Sequence, residues 1–176
     1  MASVTEALLA DGKLAGSWTL DGARSSVGLR TKSVWGLAKV KGVFGQVAGE
    51  AMISAAGEAT GTIRVAAASI DTGVKKRDDH LRSADFFDAA KYPDVTFAAT
   101  SVTLSGESVT ASGTLTVRDQ TRPVTLSGTV AAHSHDEISL DAELPVNRGE
   151  YGLTFNQLGM MSLDNIITVH AVFARA

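Results

Sequence analysis

Hydrophobic and polar positions alternate in short runs along most of the chain, and the alternation is cleanest in its second half. Ala111, Gly113, Leu115 and Val117 oppose Thr110, Ser112, Thr114 and Thr116, and Ile138, Leu140, Ala142 and Leu144 oppose Ser139, Asp141 and Glu143. A period of two turns one set toward a core and the other toward water, as in a half-buried antiparallel strand. Near the start, Val27 and Leu29 share a face away from Ser26, Gly28 and Arg30. Further runs of this kind cover 36–40, 43–53, 61–69, 95–104, 109–117, 123–131, 137–145 and 166–174. Together they predict eight or nine strands in an all-β antiparallel sandwich or barrel.

Short loops join the later strands at Ser105-Gly106-Glu107-Ser108 and at Arg118-Asp119-Gln120-Thr121-Arg122. Gly36, Gly42, Gly45 and Gly49 are followed by neither Lys-Ser/Thr nor a helix, so they match no nucleotide-binding fingerprint. They read as bends and bulges in long, curved strands.

One stretch breaks the pattern. From Ser69 to Phe97 the chain reads SIDTGVKKRDDHLRSADFFDAAKYPDVTF, dense in charge, aromatic rings and turn formers. Leu81, Ala84 and Phe87 fall at helical spacing behind the acidic pair Asp78-Asp79, and Pro93 stops whatever precedes it. The spacing predicts a short helical insertion around residues 78–90, lying over an end or edge of the β-structure.

Composition narrows the function classes. The chain has 176 residues, suited to one domain, with residues 1–16 as an N-terminal extension and 17–176 as the domain. Sixteen basic and 19 acidic residues, net −3, form no block of like charge, so neither nucleic acid nor an anionic membrane surface is implied as partner. Cysteine is absent, removing disulfides and thiol chemistry. No run approaches a membrane span, so stable insertion by a helix is not expected. The first 17 residues lack a signal peptide's positive region and apolar core, which points to a cytoplasmic location.

The segment from Asp71 to Phe97 resembles the YceI-like lipid/polyisoprenoid-binding proteins. The ordered match is Asp71-Thr72-Gly73, Arg77-Asp78, His80-Leu81-Arg82-Ser83, Asp85-Phe86-Phe87-Asp88, Lys91-Tyr92-Pro93 and Thr96-Phe97. It continues through Trp18-Thr19-Leu20-Asp21, Gly113-Thr114-Leu115-Thr116-Val117 with Pro123-Val124, and Arg148 before Tyr151-Gly152. The resemblance implies a lipocalin-like eight-stranded barrel around a long apolar pore, with a polyisoprenoid or fatty-acyl lipid as ligand and no other cofactor. Ligand contacts are then expected at Trp35, Phe44, Phe86, Phe87, Phe97, Ala111, Leu115 and Ala142, joined by Arg77, His80, Arg148 and His170. Arg24 stands where the family usually has His, with consequences expected at the pore mouth. Asp119 stands where Gly is usual, which concerns only the hairpin.

The inward faces are rich in small residues, with 26 Ala and 17 Gly in the chain against 10 aromatics, counting six Phe, two Trp and two Tyr. If the barrel closes, such a lining leaves room for a hydrocarbon chain; a lumen packed solid fits the composition equally. His80 could act as a general base beside Asp78 or Asp79, although no G-x-S-x-G motif supplies a nucleophile and local ion pairing explains it without chemistry. His133 and His135 lie at a turn and find no further metal ligands. His170, in the last run with Ile166, Thr168 and Val172, is expected in the lumen or core. Arg77, Arg82 and Arg148 are the side chains suited to a phosphate or carboxylate head group, with Asp78, Asp85 and Asp88 as competing partners. The expected function is non-enzymatic binding, storage or transport of a long-chain lipid; a hydrolase centred on His80 and a ligand-free interaction module are the alternatives. A homodimer is compatible with the sequence.

Overall fold

The computed structural model describes residues 3–33, 38–155 and 162–176. Gly36 and Trp35 lie outside them. Eleven strands form one antiparallel sheet: β1 Gly16–Leu20, β2 Ser26–Ser33, β3 Ala38–Phe44, β4 Val47–Ile53, β5 Ala59–Ala66, β6 Ile70–Asp71, β7 Asp94–Ser105, β8 Ser108–Val117, β9 Gln120–Ser134, β10 Glu137–Asn147 and β11 Asp164–Arg175. β1 and β2 run end to end along one edge of β11, with Leu20 opposite Phe173 and Arg30 opposite Ile166. β4 then pairs with β1 and β3 with β2, while β5 and β6 pair with β4 and β3. Each of these three couples acts as one bent strand. The result is a closed eight-stranded antiparallel barrel, sealed by the β1–β11 pairing.

The turns are tighter than the sequence suggests. Gly106 at φ +62° and Arg118 at φ +57° each begin a two-residue hairpin, so Gln120, Thr121 and Arg122 already belong to β9. Two glycines are required by close approach: a Cβ on Gly113 would sit 1.9 Å from the Ala98 carbonyl oxygen, and one on Gly128 2.0 Å from that of Asp141. Gly113 lies beside the bulge between Ala99 and Ser101, where β7 coils.

Among the described residues two α-helices lie at opposite ends. Helix α1, Val4–Ala10, occupies what the sequence suggests is a plain extension. Its capping box is complete, with Ser3 Oγ accepting from the Glu6 N–H at 3.1 Å and Glu6 accepting from the Ser3 N–H. Glu6 also accepts from the Gly106 N–H at 2.7 Å, and the buried Thr5 hydroxyl from the Ala132 N–H at 2.9 Å, fixing α1 to two strand ends. Beneath it pack Leu14, Trp18, Phe173, Ala132 and Ala171.

Helix α2 is Lys75–Arg82, earlier and shorter than the expected 78–90; residues 84–90 make turns through Asp88 at φ +49°. The helix starts early because buried Asp78 acts back across it. Its carboxylate accepts from both the Thr72 N–H (2.9 Å) and the Thr72 hydroxyl (2.5 Å), closing the loop against the first turn. β6 pairs with β3 on one side only, and α2 covers its other side. There Arg82 donates to the Ala68 and Ile70 carbonyls, at 2.8 and 3.0 Å, satisfying groups that a further strand would otherwise meet.

Candidate functional site

The barrel encloses a cavity of about 630 Å³. Its wall is β-sheet on most sides, through residues such as Val27, Leu29, Ile63, Leu115, Leu144 and Ile167, and α2 with the following turns forms the lid. The lumen is therefore not packed solid. Its lining departs from expectation, however: no alanine and a single glycine, Gly42, border it among the described residues. Valine, leucine, isoleucine and phenylalanine make the wall. The space comes from barrel diameter, not from small side chains.

Of the expected contact residues, Phe44, Arg77, His80, Phe86, Phe87, Phe97, Leu115 and Arg148 border the cavity. Ala111 and Ala142 face inward and are buried, yet sit in packed wall away from it. His170 is on the outer surface, where its Nδ1 meets Asp141 at 2.6 Å; the inward set on β11 is Asn165, Ile167, Val169, Ala171 and Phe173. Both faces of β11 are largely apolar, so its own pattern does not decide the side. Pairing does, because Leu140, Ala142 and Leu144 stand opposite Ala171, Val169 and Ile167. Arg24 is far from the cavity and bonded to Glu137 at 2.6 Å on the surface. Trp35 lies outside the described residues.

Polar groups gather at one end only. Thr31, Thr72, Lys76, Arg77, Tyr151 and Asn165 border the cavity where α2 crosses it, together with His80 and Arg148. Sequence reading missed Tyr151 as a lining residue, and it missed Asn165, whose inward direction follows only from the register of β11.

Arg148 is the most unusual of them. It is 9% exposed and holds the return of the chain into β11, donating from Nη1 to the Leu153 and Phe155 carbonyls and from Nε to that of Ser162. Its Nη2 has no partner among the described residues, and its guanidinium carbon lies 5.5 Å from the centre of the Phe86 ring. No carboxylate pairs with it among those residues. Burial pushes the guanidinium pKa below its ordinary value, and pushes the Tyr151 phenol up. A buried cation with an unused donor on an apolar cavity suits an acceptor oxygen carried by an amphiphile.

His80 is held rather than free. Nε2 lies 2.9 Å from Asp85, not from Asp78 or Asp79, and its ring meets Phe86 and Phe155 edge-on at 5.1 and 4.7 Å. Asp79 bridges Lys75 and Arg82, whose charges hold its carboxyl below the usual range. Arg77 donates to the Thr72 hydroxyl and carbonyl and Asp78 accepts from Thr72, so of the alternating charges only Asp79 with Arg82 and His80 with Asp85 pair with one another.

A closed antiparallel barrel around an apolar cavity, capped by one helix and lidded by another, is a barrel of lipocalin-like architecture with room for a small ligand. The chain belongs to the YceI-like domain family, whose model matches residues 18–173. It is 37% identical to "Protein YceI" of Escherichia coli over 111 residues, 59% of this chain and 58% of that protein. The matched stretch thus spans rather more than half the length of these curated relatives. Among solved structures, BcnA of Burkholderia cenocepacia superposes with a TM-score of 0.79 at 24% identity, covering 87% of this chain and 98% of that one. A polyisoprenoid-binding domain from Saccharophagus degradans superposes at 0.74 with 18% identity, covering 90% and 98%. At these identities the likeness concerns the fold.

Proposed function

We propose that this protein binds one long-chain amphiphilic lipid, a polyisoprenoid or fatty-acyl compound, inside the barrel, and stores or carries it without changing it. The observation that carries this reading is the cavity: apolar over most of its wall, sealed at the α1 end, and polar only under α2. At about 30 Å³ for each methylene-sized group, 630 Å³ takes on the order of 20 such groups. The tail would run toward α1, and the head would meet Arg148 Nη2, Tyr151 and Asn165. The polyisoprenoid-binding domain among its structural neighbours adds support for an isoprenoid chain.

Organic extraction and mass spectrometry of the purified protein test the reading directly. Delipidated protein should also gain stability when a matching lipid is added, by about 2.7 kcal/mol at a hundredfold excess over Kd, or roughly 5 to 10 °C in melting temperature at this chain length. No shift with any acyl or prenyl compound of about 20 carbons, and no lipid in the extract, overturns it. A hydrolase reading has one geometric foothold, the His80–Asp85 pair, of which His80 borders the cavity. Ester or phosphoester turnover that disappears in His80→Gln with an unchanged melting curve would establish that reading instead.

A further inference from the structure

The residues from Ser26 to Phe44 contain Arg30, Lys32, Lys39 and Lys41 and no acidic residue. Along the chain these cations look scattered; the sheet brings them together. The β2–β3 register sets Arg30 directly opposite Lys41 and Lys32 directly opposite Lys39, and all four side chains are exposed on the outer face. Like charges directly opposite oppose pairing of the strands, so this arrangement is held at a cost to stability.

Two acids lie beside them, Glu143 on β10 and exposed Asp164, which the β11–β2 register puts in line with Lys32. Glu143 bonds Arg30 at 2.9 Å, whereas Lys32, Lys39 and Lys41 make no ion pair among the described residues. Beside β3, the Asp71 carboxylate is turned to the Gly73 N–H, and Asp79 is taken by Lys75 and Arg82. Exposed Lys76, on the first turn of α2, extends the patch and also borders the cavity.

Two exposed aliphatic side chains lie among these lysines. Val43 on β3 and Val74 before α2 are each 48% exposed, and Val74 borders the cavity. Unpaired lysines, exposed valines and the cavity margin therefore share one end of the barrel. The whole chain carries a net charge of −3, so an anionic surface would be repelled by the molecule as a whole and attracted at a local excess of positive charge such as this one.

We propose that this end is a docking face for an anionic lipid bilayer, with β2, β3 and the start of α2 in contact with the head groups. The lysines supply attraction within a Debye length of the surface, and the valines reach the interfacial region beside the opening from which a lipid would enter. Its purpose rests on the lipid-binding reading, but its contacts do not. The exposed valines and the apolar space behind them favour a bilayer over nucleic acid, which would want phosphate contacts along a polar groove.

Flotation with phosphatidylcholine vesicles, with and without phosphatidylglycerol, tests it. The protein should float with the anionic vesicles, release at high salt, and stay behind with neutral ones. Lys39→Glu/Lys41→Glu should lower the anionic-vesicle affinity by more than about twenty-fivefold, since each lysine near the surface is worth roughly fivefold and reversal adds repulsion. Lys13→Glu/Arg24→Glu, the same change in charge toward the α1 end, should leave it within about twofold, and Lys39→Gln/Lys41→Gln should fall between the two. Equal flotation on neutral vesicles, indifference to salt, equal loss in both reversal variants, or duplex DNA bound as tightly as the vesicles overturns the proposal. Lipid uptake from detergent solution, run in parallel, separates the two readings. Uptake without flotation removes the docking face alone, and flotation without uptake removes the carrier alone.

Discussion

The two ends of the barrel are closed by different physics. At the α1 end the closure is a core: Trp18 is 1% exposed, its indole N–H donates to the Leu14 carbonyl at 2.9 Å, and Arg175 stacks on its face at 4.6 Å. At the α2 end charges and hydrogen bonds lie over open apolar space around a smaller buried group, Ile70, Phe86, Tyr151 and Leu153, with half-buried Phe87 edge-on to Phe44 at 5.7 Å. A core is stabilised by area removed from water and tolerates no displacement without exposing it. A polar lid can exchange its bonds with water at small net cost. The α2 end is therefore the less costly of the two to open.

The largest contrast should come from truncating one aromatic at each end. Trp18→Ala is expected to cost about 3 to 5 kcal/mol in denaturant unfolding, whereas Phe87→Ala should cost less than half of that and instead weaken lipid uptake. Equal losses would mean that α2 covers a packed core. Next come insertions. Ala111→Phe and Ala142→Phe fall in packed wall and should each cost about 1 to 3 kcal/mol, while Val117→Phe projects into the cavity and should leave the unfolding midpoint nearly unchanged while reducing lipid uptake.

Single polar contacts should follow the same order with smaller effects. Thr5→Val leaves the Ala132 N–H without its acceptor in a buried place and is expected to cost about 1 to 3 kcal/mol. His80→Gln at the other end removes a partner of a half-exposed carboxylate and two edge-on ring contacts beside the cavity, and should cost less, about 1 kcal/mol. The smallest effect is that of acid. Arg24 holds the Glu137 carboxyl below its ordinary pKa near the α1 end, and Lys75 with Arg82 do the same for Asp79 on α2. A carboxylate with a depressed folded pKa contributes stability above its unfolded value, and that contribution fades as pH falls through the folded one. Both groups are exposed, so a shallow decline below about pH 4 is expected, and Glu137→Gln or Asp79→Asn should each flatten it slightly.

Much of this was legible in the residues. Alternation in β8 and β10 assigned inward and outward faces that the register confirms, because each of those strands has one wet face. The S-x-x-E pattern at Ser3 to Glu6 was a readable signal for α1, hidden by the shortness of the helix it begins. His170 went astray because both faces of β11 are apolar enough to be the inner one. The small residues misled for a related reason. Ala132 and Ala171 surround Trp18 and Leu14, where large side chains need small neighbours, and so they mark the packed end and not the cavity.

What the sequence determined by itself were the properties carried within a single strand or turn: the β class, an interruption inside 69–97 that the structure narrows to 72–93 between β6 and β7, the approximate hairpin positions, and the order of the family motif from Asp71 to Phe97. Those follow from local periodicity and backbone preference, which need no distant partner. Tertiary structure alone decided which side of β11 faces the lumen, that Asp85 rather than Asp78 or Asp79 holds His80, and that Arg148 is buried with a donor to spare. It also decided that Arg30, Lys32, Lys39 and Lys41 form one patch on a chain of net negative charge. Each of these depends on strand register and barrel closure, which bring together residues that the linear pattern leaves apart.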